Sequence, residues 1–251
     1  MRPVFTIVTA AGSGTRLGSD RPKALVPLVG SPLVQRAVAG ALACQRITGI
    51  IVTAPEGALR DFHALFDDDP RIRVVAGGGV RQESVYRGLQ EIPVLAKDLD
   101  VVLDDLTPIL IHDAARCLTP QRVFNEIITV LEAGHCAAIP ALPVTDTQKI
   151  VATQPETVCD IPIERVTAAA DRSRLRAVQT PQGFHWRTII DAHRDAIHRW
   201  ESEAHAATDD AALVEAHGHD VYLTRGSQMS LKITTPIDLT IAQYLLKHAA
   251  T

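Results

Sequence analysis

Cysteine is scarce in this chain: four residues in 251, Cys44, Cys117, Cys136 and Cys159, with no Cys-x-x-Cys pair. That is too few for a disulfide scaffold in a chain this long, so the thiols read as reduced and the protein as cytoplasmic. Runs of five or more Lys/Arg are absent, and the net charge of -4 comes from interspersed acids and bases. A nucleic-acid or anionic-membrane surface is therefore not indicated, and small molecules are the expected partners. No apolar run reaches the roughly 18 residues that a membrane helix needs. The apolar stretch after Arg2 is short for a secretion signal and reads as a first strand. The ten histidines contain no His-Glu-x-x-His, and His217-Gly218-His219 reads as a helix C-terminus with its turn glycine. The absence of a Gly-x-Ser-x-Gly elbow argues against an α/β-hydrolase.

What is present is a rhythm. Short apolar runs (Val4–Thr9, Gly49–Thr53, Ile72–Val75, Ile109–His112, Ala137–Ala141) alternate with helical patterns at Leu33–Ala43, Ala58–Phe66, Gln82–Leu89 and Pro120–Ala133. The alternation predicts one α/β domain over residues 1–251, built on a doubly wound, mostly parallel sheet with helices on both faces. Ligands in such folds sit at the carboxyl ends of the strands. Between Gln148 and Gln179 the rhythm breaks, and Val151, Val158, Ile161, Ile163 and Val166 stand among polar residues without a helical period. This stretch is expected to form a protruding β-arm, its apolar residues covered by a second subunit or by the parent domain. The rhythm then resumes with helices at Trp186–Trp200, Asp209–His217 and Pro236–His248 and a strand at Asp220–Thr224. Lys97–Asp105 reads as a helical surface insertion.

The first apolar run leads directly into Ala10-Ala11-Gly12-Ser13-Gly14-Thr15-Arg16-Leu17-Gly18, followed by Arg21-Pro22-Lys23. Glycines let the backbone bring its N–H groups close to an anion where a strand turns into a helix. Arg16 and Lys23 add cations. A Walker loop is excluded because five residues separate Gly12 from Gly18 and Ser19 follows. A dinucleotide fingerprint fails because Gly18 comes one position late and no acid closes the next unit. A second glycine loop, Gly77-Gly78-Gly79 with Ser84 one turn into the helix, follows the third run.

His112-Asp113-Ala114-Ala115-Arg116 ends the fourth run. Asp113 there is either a Mg²⁺ ligand beside phosphates, since Mg²⁺ is held by one or two carboxylates plus phosphate oxygens, or half of an Asp–Arg pair capping a loop. Lys232 lies inside the strand-like run Leu231–Thr235. It must either snorkel to solvent or hold an anion. Arg172 and Thr180 flank the end of the arm and are uninformative by spacing alone.

Together these segments resemble the 2-C-methyl-D-erythritol 4-phosphate cytidylyltransferase family. The matching motifs are Ala10–Arg16 with Pro22-Lys23; Gly77-Gly78 through Arg81 with Ser84-Val85; His112–Arg116; Pro143–Thr147; Thr180–Phe184; Thr208–Ala211; and Lys232-Ile233-Thr234. The resemblance implies a Rossmann-like nucleotidyltransferase that uses CTP with Mg²⁺ and works as a homodimer. By the same resemblance, Arg16 and Lys23 stabilise the α-phosphate and the departing pyrophosphate, and Asp113 holds Mg²⁺. Ala10, Ala11, Gly12, Gly14, Gly78 and Ser84 line the nucleotide site. Arg116, Thr147, Arg172, Thr180 and Lys232 surround the acceptor, with Thr147 and Arg172 brought by the partner's arm. Cys117, where the family commonly has proline, and the glycine-free segment Ser173–Arg176 depart from the pattern. Three other readings stay open at this point: a ribitol-5-phosphate cytidylyltransferase, a non-catalytic nucleotide-binding protein on the same fold and, weakened by the glycine spacing, a dinucleotide oxidoreductase.

Overall fold

The computed structural model describes residues 2–12, 17, 21–154, 156–197 and 209–248. In chain order the strands are β1 (Phe5–Thr9), β2 (Pro27–Leu28), β3 (Ser31–Pro32), β4 (Gly49–Ala54), β5 (Ile72–Ala76), β6 (Pro108–Asp113), β7 (Ala137–Pro143), β8 (Lys149–Val151), β9 (Glu156–Val158), β10 (Ile161–Ile163), β11 (Val166–Ala169), β12 (Arg176–Val178), β13 (Gln182–His185) and β14 (Tyr222–Arg225). The helices are α1 (Leu33–Leu42), α2 (Leu59–Phe66), α3 (Arg81–Asp98), α4 (Gln121–Glu132), α5 (Trp186–Ala196), α6 (Asp210–Ala216) and α7 (Pro236–His248).

Eight strands form the main sheet in the order β12-β7-β13-β6-β1-β4-β5, with β14 also paired to β7. β1 runs parallel to both neighbours, Val8 lying opposite Val52 of β4 and His112 of β6. Every residue of β4 and β6 is buried, because helices cover both faces and leave no solvent side for polar alternation. On one face Phe5 and Ile7 pack with Val85, Leu89, Ile189 and Val214 of α3, α5 and α6. On the other, Val4 and Val8 pack with Leu33, Phe62 and Ile127 of α1, α2 and α4. The expected doubly wound arrangement is present. Two strands break the parallel run: β13, inserted antiparallel between β6 and β7, and β12, antiparallel to β7 at the sheet edge.

Several expected boundaries move. α3 continues past Leu89 to Asp98 with Pro93 inside it. An internal proline costs a helix about 3 kcal/mol. Ile92 and Leu95, exposed by only 0% and 2%, offset that at about 1.5–3 kcal/mol each. The helix expected over Lys97–Asp105 does not form: α3 stops at Asp98, and Asp100 takes a left-handed φ of 54°. A turn replaces it, in which Asp104 N donates to Thr107 Oγ1 and Leu106 N to Asp104 Oδ1. The strand near Asp220 begins at Tyr222, opposite Ala138. Residues 198–200 of the helix expected at Trp186–Trp200 lie outside the described residues.

Within 148–179, residues 176–178 join the main sheet as β12, antiparallel to β7. Before it, two small antiparallel ladders pair β8 with β11 and β9 with β10. Cys159 and Asp160 join β9 to β10 with φ of 49° and 64°, the left-handed pair that a two-residue hairpin turn requires. Ile150, Val158, Ile161 and Val166 remain 52–62% exposed within one chain. Among the described residues no helix is long and apolar enough to cross a membrane.

Candidate active site

Thr9 ends β1 beside Thr53 of β4 and Asp113 of β6, so the chain leaves all three strands at one edge. There lies a cavity of about 510 Å³ lined by residues that follow β1, β5 and β6. Ala10 N donates to Thr53 O at 2.9 Å and Gly77 N to Ala54 O at 2.7 Å, keeping both loops against β4. A Cβ on Gly77 would stand 2.5 Å from Ala11 Cβ, so only glycine lets the two loops touch. The first turn of α3 then holds the second loop: Gly78 N donates to Ser84 Oγ at 2.9 Å and Gly79 N to Glu83 Oε2 at 2.8 Å. Gly79's N–H, followed by the Arg87 guanidinium, holds the Glu83 carboxyl below its usual range against the opposing effect of burial.

Ala10, Ala11, Gly12, Lys23, Gly78, Ser84, Asp113 and Lys232 line this cavity. Arg16 and Gly14 lie outside the described residues. Arg116 and Thr180 stand behind Asp113 rather than on the wall. Thr180 Oγ1 accepts Asp113 N–H at 3.0 Å and lies 2.9 Å from His112 Nδ1. Burial lowers His112 to about 4 and keeps the ring neutral, so the Thr180 hydroxyl pairs with an uncharged imidazole. Arg116 Nη1 donates to Ser230 O at 2.7 Å, while its Nε stays 3.9 Å from Asp113 Oδ2. Thr147 and Arg172 are exposed and line no part of the cavity within one chain; Arg172 Nη1 donates to Thr145 O at 2.6 Å.

Asp113 is the electrostatic centre. Lys232 Nζ lies 2.8 Å from Oδ2, Arg81 Nε 3.5 Å from Oδ1, and Thr9 Oγ1 donates to Oδ1 at 3.2 Å. Burial alone would raise this carboxyl, but Arg81, Lys232 and Arg116 outweigh it and hold it well below the ordinary range. It is an anion at neutral pH and a poor proton acceptor. Arg81, given no role from the sequence, also lines the cavity, and its Nη1 donates to the fully buried Asp210 Oδ2 at 2.6 Å. Burial opposes the Arg81 charge, yet Asp210 and Asp113 raise its pKa above the arginine norm. Arg81 closes the glycine motif that opens at Gly77-Gly78, its one signal in the sequence. Its partner lies 129 residues away, a separation at which no spacing rule operates.

Lys232 belongs to no strand. Ile233 N donates to Ala115 O at 2.9 Å, which ties this irregular segment to the loop after β6. A capping box then starts α7: Asp238 Oδ2 accepts from Thr235 N at 2.8 Å, and Asp238 N donates to Thr235 Oγ1 at 3.3 Å. Thr234 donates to the same oxygen through its N and Oγ1. These bonds outweigh burial and lower Asp238 to about 2. A carboxyl lowered on folding stabilises the fold above its unfolded pKa, and that stabilisation is lost as pH falls through the folded value. Asp238→Ala is therefore expected to cost about 1–2 kcal/mol at pH 7 by urea unfolding. The difference from wild type should narrow between about pH 4 and pH 2; one constant across that window would show that the ionised cap is not its source.

Among the described residues no group of three His, Cys, Asp or Glu could hold a metal by itself. Asp113 offers one carboxylate on the cavity wall, the donor set of a Mg²⁺ ion that completes its shell with phosphate oxygens and water. The cavity therefore suits an ion arriving with a polyphosphate. On the same wall lie glycine-loop backbone and the cations Lys23, Arg81 and Lys232, which suit phosphate groups themselves.

A family model described as 2-C-methyl-D-erythritol 4-phosphate cytidylyltransferase matches residues 4–248. The chain is 40% identical over 247 residues to the protein of that name from Nocardia farcinica, covering 98% of this chain and 95% of the relative. To its namesake from Rhodococcus jostii it is 40% identical over 250 residues, with 99% and 97% covered. The crystal structure of the Thermus thermophilus 2-C-methyl-D-erythritol 4-phosphate cytidylyltransferase superposes with a TM-score of 0.70 at 27% identity, over 98% of this chain and 100% of that one. The 4-diphosphocytidyl-2C-methyl-D-erythritol synthase of Anaerococcus prevotii shares the fold, with a TM-score of 0.77 at 24% identity over 98% and 97%.

Proposed function

The chain belongs to the 2-C-methyl-D-erythritol 4-phosphate cytidylyltransferase family, and from that membership we propose how its own residues carry the reaction. The enzyme transfers the cytidylyl group of CTP to 2-C-methyl-D-erythritol 4-phosphate with release of pyrophosphate, a step in the non-mevalonate synthesis of isoprenoid precursors. This acceptor, rather than ribitol 5-phosphate, is the one its relatives are named for, and the binding-protein and oxidoreductase readings fall with it.

One observation carries the residue assignments: Lys23, Arg81 and Lys232 line the same cavity as Asp113 and two glycine loops. The acceptor phosphate is mostly dianionic at neutral pH, its second pKa being about 6. It attacks the α-phosphate without help from a side-chain base, which agrees with the lowered, cation-bound Asp113. The residues' work is to hold two anions in line and to neutralise charge as the pyrophosphate departs. Lys23 and Arg16 do so at the α-phosphate. Lys232, with Arg116 and Thr180 behind Asp113, faces the acceptor phosphate. Ala10, Ala11, Gly12, Gly14, Gly78 and Ser84 form the nucleotide wall. Asp113 holds Mg²⁺, which when bound withdraws charge from the phosphate oxygens. The protein works in the cytoplasm as a homodimer. The exposed ladders β8–β11 are the arm, which carries Thr147 and Arg172 to the acceptor side of the partner's cavity.

Mixing two inactive variants tests this assembly. Lys23→Ala and Arg172→Ala subunits, allowed to exchange, rebuild one intact site per mixed dimer and should recover about a quarter of wild-type pyrophosphate release. No recovery despite proven exchange, or a fully active monomer by light scattering, would remove the arm from the active site.

A further inference from the structure

Behind the cavity wall a buried chain of side chains crosses three helices. His193 of α5 meets Asp210 of α6, with Nε2 3.1 Å from Oδ1. Asp210 meets Arg81 of α3, and Arg81 meets Asp113 at the end of β6. His193 and Asp210 are both 0% exposed, so neither touches a substrate. We propose that Asp210, with His193 behind it, is a positioning residue of the cytidylyl transfer, fixing the Arg81 guanidinium so that its Nε edge faces Asp113 inside the cavity. This rests on the role given above to Asp113.

The geometry supports positioning over stability alone. A guanidinium is planar, so anchoring Nη1 on a buried carboxylate sets the direction of every other N–H. Asp210 is itself over-determined. Gln182 Oε1 accepts from Asp210 N at 3.2 Å and from Ala211 N at 3.1 Å, and Gln182 Nε2 donates to Asp209 Oδ2 at 2.7 Å. The His193 ring stacks on Tyr86 at 6.4 Å and 14°. Its Nδ1, however, is buried with no partner among the described residues. A buried nitrogen left unbonded costs the fold something, and an apolar side chain of similar size would avoid that cost. What an apolar side chain cannot supply is the Nε2–H that Asp210 receives.

The test uses the whole protein and reads kcat, the CTP dissociation constant by calorimetry and the melting temperature. Asp210→Asn should lower kcat about 10–100-fold, the worth of one charge-assisted hydrogen bond, with CTP affinity changed less than about threefold. His193→Phe, which keeps the stack, should lower kcat about 3–10-fold, and His193→Gln, which restores a donor, should recover most of it. The double variant Arg81→Ala/Asp210→Asn should be no slower than Arg81→Ala alone, because both act through one group. Near-normal kcat in a folded Asp210→Asn, or losses that multiply in the double variant, would overturn the proposal. A lowered melting temperature with unchanged kcat would mark the chain as purely structural. If Asp210→Asn does not fold, the His193 pair decides. Asp113→Asn run in parallel separates the two failures. Activity kept there sinks the site reading, whereas activity lost there but kept in the Asp210 and His193 variants sinks only this inference.

Discussion

Lys23→Ala is expected to lower turnover by about 10²–10³-fold, the loss that follows removal of one preorganised donor to a transition-state oxyanion. Its backbone should stay where it is. Pro22 precedes it, Leu25 N donates to Pro22 O at 2.9 Å, and the buried Ala24 anchors the turn. Stability should therefore change by no more than about 0.5 kcal/mol, as for most substitutions away from the core. CTP affinity is expected to fall less than turnover, because the charge that Lys23 meets grows as the pyrophosphate leaves. Steady-state kinetics with a melting curve separates these quantities. Near-normal turnover in a folded variant would mean that Lys23 does not meet the developing charge.

Asp113→Asn should cost a similar factor of about 10²–10³ in kcat, by a different route. The substitution removes one negative charge from among Arg81, Lys232 and Arg116. Breaking a buried ion pair from one side costs about 3–5 kcal/mol, since the remaining charges stay uncompensated; with Lys232 44% exposed, the lower end is expected. CTP, as an anion, should supply the missing charge, so it should bind at least as well and raise the melting temperature more than in wild type. The Mg²⁺ concentration for half-maximal rate should rise. A kcat close to wild type would reduce Asp113 to the centre of an ion-pair cluster, the plainer of its two sequence readings.

What could be read in advance was whatever depends on neighbouring residues. Continuous apolar runs such as Gly49–Thr53 betrayed strands buried on both faces, and Gly77-Gly78 betrayed close approaches at the end of the third, whereas a Cβ on Gly12 would meet nothing within 4 Å. The motif resemblance supplied Lys23, Asp113 and Lys232, all of which the fold gathers at one cavity. Pairings across the chain escaped. Lys232 looks like a strand residue because Leu231 and Ile233 flank it, yet Ile233 is apolar to fill the core beside Ala115. Arg81 and Asp210 each resemble ordinary surface charges until α6 is folded against α3. The continuation of α3 through Pro93 was hidden for the same reason: local propensity opposes it, and only burial of Ile92 and Leu95 reverses the balance.

The insertion of β13 between β6 and β7 has a consequence for how the molecule is assembled. A growing chain that has produced everything up to β7 still lacks the strand that separates β6 from β7, so both present unpaired backbone edges, which invite pairing with other chains. Arrival of β13 closes that gap, and the residues at its start come with it. Thr180 seats the Asp113 backbone, and Gln182 seats the first turn of α6. Closure of the sheet thus also seats Asp113, and Lys232, from the segment before α7, is then still to come; the first 150 residues alone hold the glycine loops, Lys23 and Asp113 without Thr180 and Lys232.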